Sequence, residues 1–408
     1  MRKNINKLVA VAIGISIMGG SIVPAFAADT TTQNTSIVTT STQANTKSVL
    51  TLNDAIDAGI NGNDKINLQI KKVNLEKDKL DIQDDIDDSG YAYDSQDVKV
   101  KQEEQNKDFL EDQVSQDITN LYNDLVAQGN DLNKLKKQIE IKTKEINDAK
   151  LKQSLGLITS IDKKNADIEL QTLKDNETKA ENKLKNSQDY FKVLTDKDLN
   201  NYVLEQDADY EVFRITGSVD SYLDNIVNKY CEYDKESSDL LKDYIKDNKD
   251  NYSSFTVGEA PKLSDYADIK TTDGLDVIKS AQDQYAAALT NYNSGIANYK
   301  TFLETKYNSS AASVGVEEKK KSYKKILNES YTSLLDLENK INVIKSNIEV
   351  NNKQLSIAKL KLDMGLLTKT QYNSQILASE DLETSLRSLI DSYNKLKNNI
   401  QKPWLINN

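Results

Sequence analysis

Ala149-Lys150-Leu151-Lys152-Gln153-Ser154-Leu155-Gly156-Leu157-Ile158-Thr159 recurs 209 positions later as Ala358-Lys359-Leu360-Lys361-Leu362-Asp363-Met364-Gly365-Leu366-Leu367-Thr368, and seven of the eleven positions are identical. Each copy reads as the end of one helix and the start of the next. The glycine takes the left-handed conformation that stops a helix, and Thr159 with Asp162, or Thr368 with Gln371, forms a capping box for the returning helix. The register extends upstream: adding 209 carries Ile118 to Leu327, Tyr122 to Tyr331, Leu125 to Leu334, Leu132 to Ile341, Ile139 to Ile348 and Ile146 to Leu355. A duplicated helical hairpin is therefore the unit of the chain.

Working outward, residues from about 97 to 154 carry Val114, Ile118, Leu121, Leu125, Leu132, Leu135, Ile139 and Ile146 at heptad spacing with a charged exterior, the pattern of a coiled-coil rod. About 58 residues at 1.5 Å each give a rod roughly 85 Å long. Its copy runs from about Val316 to Met364. The return helices, about Thr159–Leu194 and Thr368–Ile400, are too short to cover the rods alone, so second short helices must stack end to end with them: one from about Asp64 to Asp88, the other from Val277 to Leu303. Thr51 with Asp54 opens the first short helix, and Gly62 breaks it from the next.

At the N-terminus, Arg2, Lys3 and Lys7 precede an apolar run to Val23, then Pro24 and Ala25-Phe26-Ala27, the layout of a cleaved secretory signal, with an uncleaved membrane anchor as the alternative. Residues 28–49, rich in Thr, Ser, Gln and Asn, read as a disordered leader. The first hairpin repeat is assigned to 50–200, an inter-repeat segment with short helices and minor strands to 201–276, the second repeat to 277–402 and a tail to 403–408. Strand-like runs occur at Tyr210–Thr216 and Ser253–Val257.

Composition excludes several functions. Cleavage of the signal takes the formal charge from −11 to −14, against nucleic acid or anionic lipid as a partner. There is no histidine, which removes the commonest general base and zinc ligand, so we expect no enzyme, no metal and no cofactor. Cys231 is the only cysteine, a small packing residue or an intermolecular bridge, and the fold must hold without internal disulfides. Asp81, Asp84, Asp85, Asp87 and Asp88 are dense enough for a hard cation but lack the glycine-centred loop of a calcium site, and read as a solvated helix end. Lys319-Lys320-Lys321 and Lys324-Lys325 read as exposed pairs with Glu317 and Glu318, and Tyr285, Tyr292, Tyr299, Tyr331 and Tyr393 as packing within the heptad stripes.

The opening Leu50-Thr51-Leu52-Asn53-Asp54-Ala55-Ile56, the two glycine turns and the tandem duplication together resemble the TolC-like outer membrane efflux proteins, over about residues 50 to 400. Leu155-Gly156-Leu157 and Met364-Gly365-Leu366 stand where that family usually has valine-glycine-leucine. The resemblance implies an exported homo-oligomer, a trimeric helical tunnel of the cell envelope or extracellular face that works with an adaptor and a pump. Members that pierce an outer membrane carry a pair of strands before each rod. Such strands need about 9 to 11 alternating residues each, and Ser89–Gln96 and Asn308–Gly315 are too short and too polar to supply them.

The expected fold is thus all-α: two tandem repeats of long antiparallel coiled-coil hairpins, each rod flanked by shorter end-to-end helices, with no β-barrel. The expected function is an efflux or secretion conduit that docks an adaptor protein through its tips. The contact residues are Leu155, Gly156, Leu157, Ile158 and Thr159 in one copy and Met364, Gly365, Leu366, Leu367 and Thr368 in the other. The tip leucines either form that docking surface or only staple the hairpin. A structural coiled-coil protein of the cell surface or wall, without transport, is the alternative.

Overall fold

The computed structural model describes residues 47–157, 159–207, 209–252, 256–266 and 274–406, so the signal segment and most of the leader lie outside the described residues. The described chain is all-α with eight helices, and its only strands are two of three residues each. Residues 47–240 with 313–408 form one compact unit, and residues 241–312 belong to another.

In the first unit the chain enters as β1 (Ser48–Leu50), which includes the last positions assigned to the leader, and pairs in parallel with β2 (Tyr202–Leu204). Tyr122 fixes the pair: its hydroxyl donates to the Leu50 carbonyl at 2.7 Å and accepts from the Glu205 N–H at 2.8 Å. Helix α1 (Leu52–Asn61) opens on the Thr51–Asp54 capping box, Gly62 ends it, and α2 (Asp64–Ile86) starts on Asn63, whose side chain accepts from two backbone N–H groups. A short turn with Gly90 at φ +85° leads into the rod α3 (Tyr91–Ser154), and α4 (Ser160–Thr195) returns along it. The end-to-end pair α1–α2 and the return helix α4 thus flank the first rod, as its length requires.

The second rod, α7 (Leu275–Asp363), is 89 residues long against 64 for α3 and runs without a break through 308–315. Val277–Leu303 is therefore not a separate short helix, nor is Asn308–Gly315 a connection. That stretch has no proline, Ser310 bonds back to the Lys306 carbonyl at 3.2 Å, and a lone Gly315 costs only about 1 kcal/mol in so long a helix. The short helices that serve α7 are instead α5 (Val219–Tyr230) and α6 (Glu232–Tyr252), which meet at Cys231. Lys324 bridges Asp220 and Asp224 at 2.7 Å each, and Lys319 reaches Asp234 at 2.8 Å, so the pairing falls along α7 as it rises along α5 and α6. The run at 210–216 is unpaired coil, and Ser253–Phe255 lies outside the described residues.

Helix α8 (Lys369–Gln401) returns from the second tip. Leu327, Leu334 and Ile341 of α7, one heptad apart, are fully buried in one cluster with Leu223 of α5 and Tyr393 and Ile400 of α8. Each such aliphatic contributes about 2 kcal/mol by leaving water. Helix α8 also ties the two repeats together: Lys134 and Lys137 of α3 pair with Asp381 and Glu380, and Asn398 donates to Gln116 at 3.3 Å. Past α8, Trp404 stacks on Phe109 of α3 with centroids 4.2 Å apart, and its indole N–H donates to Asp112 at 3.0 Å.

Within residues 241–312 tyrosines do the packing. Tyr252 stacks on Phe302 at 4.5 Å, Tyr266 lies 6.4 Å from Tyr285, and Tyr292 donates to the Gly258 carbonyl at 3.2 Å.

Candidate functional site

The two tips are built alike by local chemistry. In the first, Gly156 sits at φ +72°, its N–H donates to the Gln153 carbonyl at 2.9 Å, and the Leu157 N–H donates to Lys152 at 2.8 Å. In the second, Gly365 sits at φ +74°, with its N–H on Leu362 at 2.9 Å and the Leu366 N–H on Lys361 at 2.8 Å. Both are Schellman stops, in which the N–H groups of the glycine and of the residue after it satisfy two carbonyls that the helix leaves open. Thr159 then accepts from the Asp162 N–H at 3.1 Å while Asp162 accepts from the Thr159 N–H at 3.0 Å; Thr368 and Gln371 do the same at 3.2 and 3.0 Å. The Thr159 side-chain and backbone bonds hold the Asp162 carboxyl below its ordinary pKa.

Apolar side chains surround these stops without being buried by them. Leu155 is 65% exposed and Leu157 69%; Met364 is 64% exposed and Leu366 72%. In a stapled Schellman motif the residue after the glycine packs on an apolar residue of the last helical turn. Here that turn position is Lys152 or Lys361, and the leucine faces water. Of the other expected tip residues, Leu367 is half-buried, Gly156, Thr159, Gly365 and Thr368 are exposed, and Ile158 lies outside the described residues.

Sequence reasoning missed three further members, Leu151, Ile161 and Leu360, each at least 61% exposed. Leu151 and Leu360 lie inside the repeated stretch, so the repetition itself was the available signal. It also missed a second apolar series on α7: Val343, Val350, Ile357 and Met364, seven residues apart and all exposed. This series lies two residues beyond Ile341, Ile348, Leu355 and Leu362, which on a helix is nearly the opposite face. Among the described residues no group of three or more His, Cys, Asp or Glu side chains is placed to hold a metal ion, and no helix is long and apolar enough to cross a membrane.

The chain is similar to the Campylobacter jejuni CmeC outer membrane channel with a TM-score of 0.54 and 13% identity, over 87% of this chain and 85% of that one. The fold is that of outer membrane channels. It is likewise similar to a membrane protein from Pseudomonas aeruginosa, at a TM-score of 0.56 and 9% identity over 86% and 92% of the two chains. CusC, described as forming a transmembrane channel, matches at 0.52 and 9% identity over 87% and 90%. No protein-family model matches the sequence, and no curated protein is similar to it.

Proposed function

We propose that this chain is a TolC-like exported protein of the cell envelope, a component of an efflux or secretion conduit that docks an adaptor protein through its two hairpin tips. The observation that carries this reading is the repeated tip: the same three positions, Leu151/Leu360, Leu155/Met364 and Leu157/Leu366, are apolar and exposed in both copies of an outer-membrane-channel fold. Paired, identically built apolar ends suit a ring of similar sites on a partner. The helix stop needs only the glycine, so the leucines are free to serve contact.

Self-association is part of the proposal, and the duplication supports it. Rod α3 packs against α8 as well as against α1, α2 and α4, and its Ile141 is 8% exposed. The corresponding residue of α7, 209 positions on, is Val350, and it is 55% exposed. Helix α8 is the second-repeat counterpart of α4, so α4 of a neighbouring copy, bearing exposed Ile161 and Ile168, is the natural cover for α7. Such a contact joins two different faces, the kind that makes a ring where its rotation closes, and we propose that it closes as a trimer.

Light scattering on the exported chain at high micromolar concentration tests the ring; a strictly monomeric particle would favour the structural wall protein. Leu157→Asp with Leu366→Asp tests the tips. Export or drug tolerance in the source cell falls to the level of a deletion while the helical melting curve is unchanged; full activity in the double variant would refute tip docking.

A further inference from the structure

The tips are cationic as well as apolar, in a chain whose formal net charge is −11. Within ten residues of Gly156 and of Gly365 there are seven lysines and three aspartates, a net of +2 at each tip. Asp162 is consumed by its capping box and Asp363 by Lys359 at 2.9 Å. Lys150, Lys152, Lys164, Lys361 and Lys369 are exposed and make no ion pair among the described residues. Two of these, Lys150 and Lys152, recur as Lys359 and Lys361 in the second copy.

Helix chemistry accounts for only part of this. Lys152 and Lys361 lie in last helical turns, where the macrodipole welcomes a cation. Lys369, however, is the first residue of α8, where a positive charge opposes the dipole at a cost of about 0.3–1 kcal/mol. Glu140 of α3 lies within Coulombic reach of Lys369 but is held by Lys144, so the positive charge at the start of α8, beside exposed leucines, stays available to a group outside the chain.

We propose that the tips recognise an acidic partner: a protein surface whose apolar contact is ringed by Asp and Glu carboxylates. The apolar side chains supply contact area, and the lysines supply register and exclude basic competitors. This rests on the tip-docking reading above and adds the partner's chemistry to it. The partner is a protein surface and not an anionic membrane, because seven lysines are offset by three aspartates and by a strongly acidic remainder that an anionic bilayer would repel.

The test uses the full chain and two synthetic helical hairpins that share one leucine-bearing turn, flanked in one by glutamates and in the other by lysines. By titration calorimetry at 50 mM salt the glutamate hairpin binds at least tenfold tighter, and the difference shrinks at 300 mM as screening shortens to roughly 6 Å. K152E with K361E lowers affinity for the glutamate hairpin about tenfold. K164E with K369E does the same while leaving thermal stability unchanged or higher, since a carboxylate suits the start of α8; this separates recognition from misfolding. Equal binding of both hairpins, or none of the glutamate hairpin, overturns the acidic partner. So does tighter binding to phosphatidylglycerol vesicles than to the glutamate hairpin. Undiminished binding by the Leu157→Asp, Leu366→Asp variant would instead sink apolar docking and leave the charge preference standing.

Discussion

Glu103 is the most consequential buried charge in the described chain, and its removal has a pH signature. It lies on α3 with its side chain 1% exposed, paired with Lys72 of α2 at 3.0 Å and Lys99 at 3.1 Å, and accepts from the Gln69 amide at 2.8 Å. Burial alone would raise its pKa, but the hydrogen bonds from Gln69, Lys72 and Lys99 outweigh it and hold the carboxyl at about 2, against 4.5 for an ordinary glutamate. Because the folded value is the lower one, the stabilisation is complete above about pH 4.5 and is lost as pH falls toward 2. At about 1.4 kcal/mol per pH unit the linkage is worth on the order of 3 kcal/mol. Glu103→Gln keeps the shape and removes the charge. We expect its urea midpoint at pH 7 to drop by the equivalent of about 2–4 kcal/mol. The gap to wild type should close steadily between pH 5 and pH 2, read by helical circular dichroism. A gap that is independent of pH over that window would refute the assignment, since an uncharged packing role does not titrate.

The glycines separate strain from clash. At Gly156 and Gly365 an added Cβ meets nothing within 4 Å, so alanine at either costs only the left-handed backbone term, about 1–2 kcal/mol, and the tip persists. At Gly59 a Cβ would sit 2.7 Å from Ile118 Cγ1 in the core, and Gly59→Ala should cost about 1–3 kcal/mol through overpacking despite a helical backbone. Thermal unfolding with a hydrogen-exchange readout at α1 distinguishes them. Trp404→Ala removes the Phe109 stack and the bond to Asp112; we expect a loss of about 2–3 kcal/mol in the denaturant midpoint, with exchange rising first along Phe109–Asp112.

How much of this was legible in the sequence follows the range of each interaction. The tips were, because a Schellman stop and a capping box are decided within six residues: Gly156 with Thr159 and Asp162, and Gly365 with Thr368 and Gln371. The first rod and its flanking helices were, since α2 and α4 end within a residue or two of the bounds that Gly62, Gly156 and the heptads set. The continuity of α7 was not. Ser309 to Ser313 neither favours nor forbids a helix, and only the surrounding turns of a cooperative rod decide it. The β1–β2 pair was invisible for a different reason: two three-residue strands about 150 positions apart carry no alternation, and the group that unites them is a tyrosine hydroxyl on α3.

The second seam of α7 sharpens the point. A heptad reading finds one apolar face, and in α7 that face, Leu327 to Ile341, is the one α5 and α8 cover. The series Val343, Val350, Ile357 and Met364 is equally regular but is not required for the monomer to fold, as its exposure demonstrates. A helix with two opposed apolar seams is an interior member of a helical layer. Rod α3 occupies such a place, with α4 and α8 beside it and Ile141 buried, whereas α7, its copy, stands with the matching valine open. Duplication therefore left the second repeat one helix short of the environment of the first. Cysteine placement gives this a direct test, since Val350→Cys on α7 and Ile168→Cys on α4 should cross-link only between different copies. Ring-sized adducts on mild oxidation are the expected result; an intact Val350→Cys thiol beside Ile168→Cys in a concentrated sample would show that the exposed seam has no partner in a second copy.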